Sequence, residues 1–195
     1  RGLTQGLEAE LTLVLDVMFP SRQLVALAAD FRQAFPGVVL HLYVDALGSV
    51  PQRVLSGECD LGVQGTLPDI GPALVAHAMP EVVIVPVAAP GHGLAAMQDI
   101  TIAQTREHTQ IVLTDRSTGT EGQTFSVFSE QQILTTDLGA KRAMLCAGLG
   151  WGFMPYDFVE DDLRSGHLRE LALAERTARN RSMPLYAIHR RGSAP

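Results

Sequence analysis

The sequence predicts an α/β fold built from two lobes. Three observations predict it. Short apolar strands alternate with amphipathic helices over residues 11–63, the alternation restarts near Gln110, and a last strand, Leu185–His189, has no lobe of its own. Strand–helix–strand alternation argues for a parallel sheet covered by helices. The orphan strand is expected to return to the first lobe, so the chain crosses between lobes twice. The expected division is residues 1–87 plus 169–195 for the first lobe and 88–168 for the second.

The elements follow in order. Leu11–Leu15 is a short apolar run ending at Asp16, read as a buried strand. Pro20 and Ser21 open a helix, with Pro suited to a first turn. Leu24, Leu27, Ala28, Phe31 and Phe35 recur at helical spacing, and Pro36-Gly37 stops them. Val38–Val44 is a strand with Leu40, Leu42 and Val44 on one face. Gly48-Ser49 starts a helix carrying Val50, Val54 and Leu55, ended by Gly57, and Asp60–Val63 is the third strand. Two extended segments follow, Ala73–Met79 and Val82–Ala88.

In the second unit Gln110–Thr114 is a strand, and Asp115–Gly122 is a polar loop. Phe125–Phe128 and Gln132–Thr135 read as extended. Asp137 caps a helix running to Ala147, with Leu138, Met144 and Leu145 inward. Gly148–Gly152 is a turn and Gly152–Met154 a strand. Pro155-Tyr156-Asp157 opens a helix through Leu163, closed by Gly166, and Leu168–Leu173 is extended.

Composition narrows the function. The 195 residues are 46% hydrophobic and carry a formal charge of −6. Nucleic-acid binding usually leaves a basic face, and the one local excess here, Arg176, Arg179, Arg181, Arg190 and Arg191, reads as solvated surface. No run approaches the ~18–20 apolar residues of a membrane span. No charged segment precedes an apolar one at the start, so no secretory signal is expected. The chain begins at Arg1 and not Met, so an upstream segment is expected. Cys59 and Cys146 lie far apart and read as buried small residues in a reducing cytosol.

Motifs for catalysis are missing. There is no Gly-x-Ser-x-Gly elbow and no Gly-rich phosphate loop followed by Lys. The six histidines, such as His41 and His92, are isolated, without the spacing of a metal pair. No catalytic residue, metal or cofactor is expected. What stands out is a set of helix starts bearing hydroxyls after strands: Phe19-Pro20-Ser21, Gly48-Ser49 and Ser117-Thr118. Free N–H groups there suit an anion, and the same residues suit plain N-capping. Both readings stand at this point.

Several blocks resemble the effector domain of LysR-type transcriptional regulators. Leu11-Thr-Leu-Val-Leu-Asp16, then Leu24–Phe35 with Phe-Pro-Gly37, then Val38–Val44 resemble its start. Val54-Leu-Ser-Gly-Glu-Cys-Asp-Leu-Gly-Val63 is the most telling block. Val83–Ala95 resembles the first crossover, Ala147-Gly-Leu-Gly-Trp-Gly-Phe-Met-Pro155 the glycine block of the second lobe, and Gly166-His-Leu-Arg-Glu-Leu171 the second crossover. The order is kept from about residue 11 to 190. The polar stretch Leu113–Gly122 and the cysteine spacing depart from the family, the latter from its peroxide-sensing branch.

The resemblance implies a type 2 periplasmic-binding-protein-like fold: two Rossmann-like lobes joined by two crossover segments. It implies a cytoplasmic homodimer or tetramer in which the first lobe of one subunit meets the second lobe of another. It also implies a small-molecule effector in the cleft, and DNA contact only through an N-terminal helix-turn-helix outside this chain. By position, Met18, Phe19 and Ser21 would meet the effector from the first helix start. Leu47, Gly48 and Ser49 would come from the second, and Gln64 from the third strand end. Thr114, Asp115, Ser117 and Thr136 would face them from the second lobe. Two alternatives compete: an extracytoplasmic solute-binding protein, which needs a signal peptide, and an enzyme on this fold, which needs a catalytic base.

Overall fold

A computed structural model of the chain describes residues 9–65, 70–114, 126–174 and 181–192. The first unit comprises β1 (Ala9–Asp16), α1 (Ser21–Ala34), β2 (Val38–Asp45), α2 (Ser49–Ser56) and β3 (Leu61–Gln64). β1 lies between β2 and β3, parallel to both. A central parallel strand is covered on both faces, which is why its apolar residues run on without alternation. Leu13 and Leu15 pack with Val63 and Leu185 on the side reached by Leu24 and Leu27 of α1. Val14 packs with Val50 and Val54 of α2 on the other side. Val14 and Leu15 are wholly buried, and each such side chain contributes ~1.5–3 kcal/mol.

The telling block around Gly62 has a packing cause. A Cβ there would stand 2.9 Å from Val54 Cγ2 and 3.1 Å from Ile188 Cγ1. Only a glycine lets α2 lie this close to β3. Asp60 locks the strand start: its carboxylate accepts from Thr12 N at 2.9 Å, and its own N–H donates to Thr12 O at 2.9 Å.

The apolar face expected for α1 is only half submerged. No residue of α1 is buried, Val25 is 65% exposed, and Phe35, just past its end, is 54% exposed. Phe35 packs on Phe31 instead, at 5.2 Å between ring centroids.

Ala73–Met79 and Val82–Ala88, expected as two segments, form one strand, β4 (Leu74–Ala88). Its register shifts between Met79 and Val82, where Pro80 offers no N–H to a ladder. Upstream of the shift it pairs antiparallel with β9 (Ser182–Arg190), and that pairing resumes at Val82 and Val83. Further along it pairs with β7 (Trp151–Pro155) and β8 (Arg169–Glu170). β9 also pairs with β3. Among the described residues the sheet order is β2-β1-β3-β9-β4-β7-β5-β6, with β8 beside β4.

The second unit holds α3 (Ile102–Thr105), β5 (Gln110–Leu113), β6 (Gln132–Thr135), α4 (Leu138–Cys146) and α5 (Tyr156–Ser165). β5 pairs parallel with β6 and β7. Asp137 caps α4 through Ala140 N, as its sequence position suggests. Asp162 of α5 accepts two bonds from Arg142 of α4, at 2.5 and 2.6 Å. The core here is Val85, Val87, Ile111, Leu138, Leu145, Met154, Val159 and Leu168.

Two expectations change in this unit, and one short helix is added. Phe125 lies outside the described residues, and 126–128 form no strand. The buried Gln110 side chain takes their backbone instead, donating to Ser126 O and accepting from Phe128 N. Leu168–Leu173 keeps ladder pairing only at Arg169–Glu170, with an isolated bridge from Leu173 to Ile100. The short helix α3, closed by a Thr101/Gln104 capping box, was not anticipated because its four residues carry too little periodicity.

Candidate functional site

The carboxyl ends of parallel strands in open α/β sheets are where ligands bind. Here those ends are Asp16 and Asp45 on one side and Leu113 and Thr135 on the other. Asp16 is 1% exposed and organises the turn that follows it. Its Oδ1 accepts from Met18 N and its carbonyl from Phe19 N, both at 2.8 Å. Val17 N donates to Asp45 O at 2.8 Å, tying the ends of β1 and β2 together. Val17 and Met18 reach across to pack on the core that holds Ile111 and Met154.

The helix starts separate the two readings of their hydroxyls. The N-cap of α1 is Pro20 and that of α2 is Gly48, and neither makes a side-chain capping bond. Ser21 and Ser49 are each the first residue inside the helix, so plain N-capping does not account for them. Pro20 correspondingly sits one position earlier than expected. Leu47, just before α2, holds φ at 51° while 7% exposed. A bulky residue in the left-handed region is uncommon, and such positions concentrate at ligand sites.

Three neighbouring cavities lie along these ends. The first, about 310 Å³, is lined by Met18, Leu47, Ile84, Gln110 to Leu113, Ser126, Lys141, Phe153 and Ser182 to Pro184. The second, also about 310 Å³, is lined by Val17, Val44 to Ala46 and Ser49, facing Thr114, Thr136 and Asp137. The third, about 190 Å³, includes Phe19, Ser21, Asp16 and Leu24 against Asp137 to Gly139 and Phe158. Val17, Val44 and Asp137 are shared by the second and third. All three take residues from both units, and a 300 Å³ space is at the small end of ligand pockets.

The expected site residues therefore meet, but not in one chamber. Met18 and Leu47 line the first cavity, Ser49, Thr114 and Thr136 the second, Phe19 and Ser21 the third. Gly48 supplies the N-cap of α2 between them. Gln64 is 1% exposed, at the end of β3, and lines none of the three. Asp115 and Ser117 lie outside the described residues.

Sequence reasoning missed Lys141. It is 3% exposed on α4 and lines the first cavity. Burial lowers its pKa from the ordinary 10.5 to about 8, because an ammonium in a poorly solvated place favours its neutral form. Lys141 is the single lysine of the chain, beside fourteen arginines, but its position next to Arg142 on a helix gives no sign of burial. Its stem lies against Gly152, where a Cβ would stand 3.2 Å from Lys141 Cε and 2.6 Å from the Ile111 carbonyl oxygen. The glycine block of the second unit thus opens a slot for a buried lysine.

Other reactive groups are occupied by structure. Cys59 is fully buried and Cys146 partly so, and burial pushes both thiols up. His92 Nδ1 accepts from Leu94 N, closing a short turn. Among the described residues no three His, Cys, Asp or Glu side chains group as metal ligands. No helix among them is long and apolar enough to cross a membrane.

Comparison with known proteins bears on this geometry. The LysR substrate binding domain family matches residues 4–195. The regulatory domain of MetR, a LysR family regulator from N. meningitidis, is similar in structure, with a TM-score of 0.71 at 19% identity, covering 93% of this chain and 84% of that one. The OxyR regulatory domain from Pseudomonas aeruginosa gives a TM-score of 0.72 at 15% identity over 97% and 91%. The CcmR regulatory domain of Synechocystis PCC6803, in complex with 2-PG, gives 0.72 at 17% over 95% and 89%. Comparison with curated proteins found no match. These likenesses show the fold, and the family match over nearly the whole length shows the kinship: the chain is a LysR substrate-binding domain, with the type 2 periplasmic-binding-protein-like fold of two lobes joined by two crossovers.

Proposed function

We propose that the domain senses a small, anionic metabolite in the cleft between its lobes and thereby controls a DNA-binding helix-turn-helix that belongs to the same regulator but not to this chain. The observation that carries it is the row of cavities at facing strand ends, each walled by both lobes. The start of α1, whose N-cap makes no side-chain bond, lines the third cavity through Ser21, and a helix N-terminus suits an anion. A ligand touching both lobes stabilises the closed arrangement by its differential contacts. The CcmR regulatory domain, of similar fold, is described in complex with 2-PG, a precedent for a ligand on this fold.

The proposed lobe boundaries remain near residues 87 and 169, inside β4 and β8. The pocket is proposed to use Met18, Phe19, Ser21, Leu47, Gly48, Ser49, Gln64, Thr114 and Thr136, together with Asp115 and Ser117, which lie outside the described residues. No catalysis is proposed. The domain is proposed to work in the cytoplasm as a homodimer or tetramer, the half-exposed α1 serving as contact surface.

The test is thermal-shift screening of metabolite carboxylates, followed by calorimetry on wild type and Ser49→Ala. Loss of one hydrogen bond should weaken binding by about 1 kcal/mol. Unchanged affinity in the variant would remove Ser49 from the site.

A further inference from the structure

We propose that Lys141 is the counter-ion of the effector, and that the first cavity takes a monocarboxylate with an apolar body. This rests on the cleft being the effector site and adds where the charge sits. Lys141 lines that cavity while 3% exposed. No ion pair to it exists among the described residues, and burial is the cause of its lowered pKa. The strands packed against α4 offer no compensation: β5, β6 and β7 carry no charged residue. On β4 the one acid, Glu81, lies in the part paired with β9, and the carboxylate of Asp137 is engaged by Ala140 N. Every other cation of the chain is an arginine.

A buried ammonium without a partner costs free energy. An arriving carboxylate pairs with the ammonium and removes that cost. Lys141 also sits in the first turn of α4, whose partly positive end is already met by the Asp137 carboxylate, so the lysine itself is the source of positive charge for the cavity. The second cavity contrasts with this, since Asp45 and Asp137 line it. The cavity around Lys141 is lined by apolar Met18, Leu47, Ile84 and Phe153 and by neutral polar Gln110, Ser126 and Ser182. One cation and no acid among the described lining residues fits one negative charge on a largely apolar body, because a second charge finds no cation among them.

A single lysine makes the test clean. Protein labelled with [¹³C]lysine gives one side-chain signal, read during titration with cyclohexanecarboxylate and with its neutral amide. The expected result is that the carboxylate moves the Lys141 signal, raises its titration midpoint, and binds roughly tenfold more tightly than the amide. Lys141→Met should abolish that preference while melting no lower than wild type. If acid and amide bind alike in the cleft, or the acid binds there without moving the signal, the counter-ion role is wrong and the cleft reading survives. No binding of either at millimolar concentration overturns the ligand class.

Discussion

Lys141 shows how one side chain sets the energetics of this domain. Its folded pKa is about 8 against the ordinary 10.5, so the unfolded chain holds the proton more tightly. Stability of the ligand-free domain should therefore rise as pH goes from about 8 to 10.5, by at most ~3 kcal/mol. Lys141→Met should flatten that rise in denaturant titrations and stabilise the domain at neutral pH. A flat wild-type profile would show that the ammonium is better solvated than its burial implies. Gly152→Ala tests the slot: the new Cβ meets the Ile111 carbonyl oxygen, a backbone atom. It should cost about 1–3 kcal/mol, as overpacking does, read as a lower midpoint with an unchanged slope. Asp16, by contrast, shapes the turn and does not solicit ligand through the oxygen that accepts from Met18 N.

At the scale of elements, the sequence was most readable where period and punctuation agreed. β1, β2, α2 and α4 carry their apolar pattern and their stop signals within a few residues, and they form where expected. Legibility failed where tertiary partners decide. β4 is one strand because β9 and β7 pair along different stretches of it, and residues 126–128 are held outside any strand by Gln110 of β5. Of the cavity lining, the helix starts at Ser21 and Ser49 were legible from Ser and Gly after strands. Lys141 was not, since a helical lysine next to Arg142 reads as surface until Gly152 is seen to admit it. The exposed face of α1 carries its own prediction. Val25, 65% exposed on a helix with no buried residue, should lie in a two-fold contact. Val25→Arg should shift sedimentation toward monomer at tens of micromolar, and a wild type already monomeric there would exclude the contact.

Among the described residues the strands form one nine-stranded sheet, in which β4 pairs with β9 of the first unit along one stretch and with β7 of the second along another. Its formal charge of −6 opposes direct contact with a polyanion. In gel-shift titrations this chain alone should leave operator DNA unshifted at moderate salt. The central claim is that effector binds where the lobes face each other. The most direct measurement is amide chemical-shift mapping with the tightest carboxylate from the thermal screen. The account predicts shifts from both lobes at once, at Val17–Phe19 and Ala46–Ser49 on one side and at Leu113–Thr114 and Thr136–Asp137 on the other. Shifts confined to one lobe, or to the outer faces of α1 and α5, would contradict it.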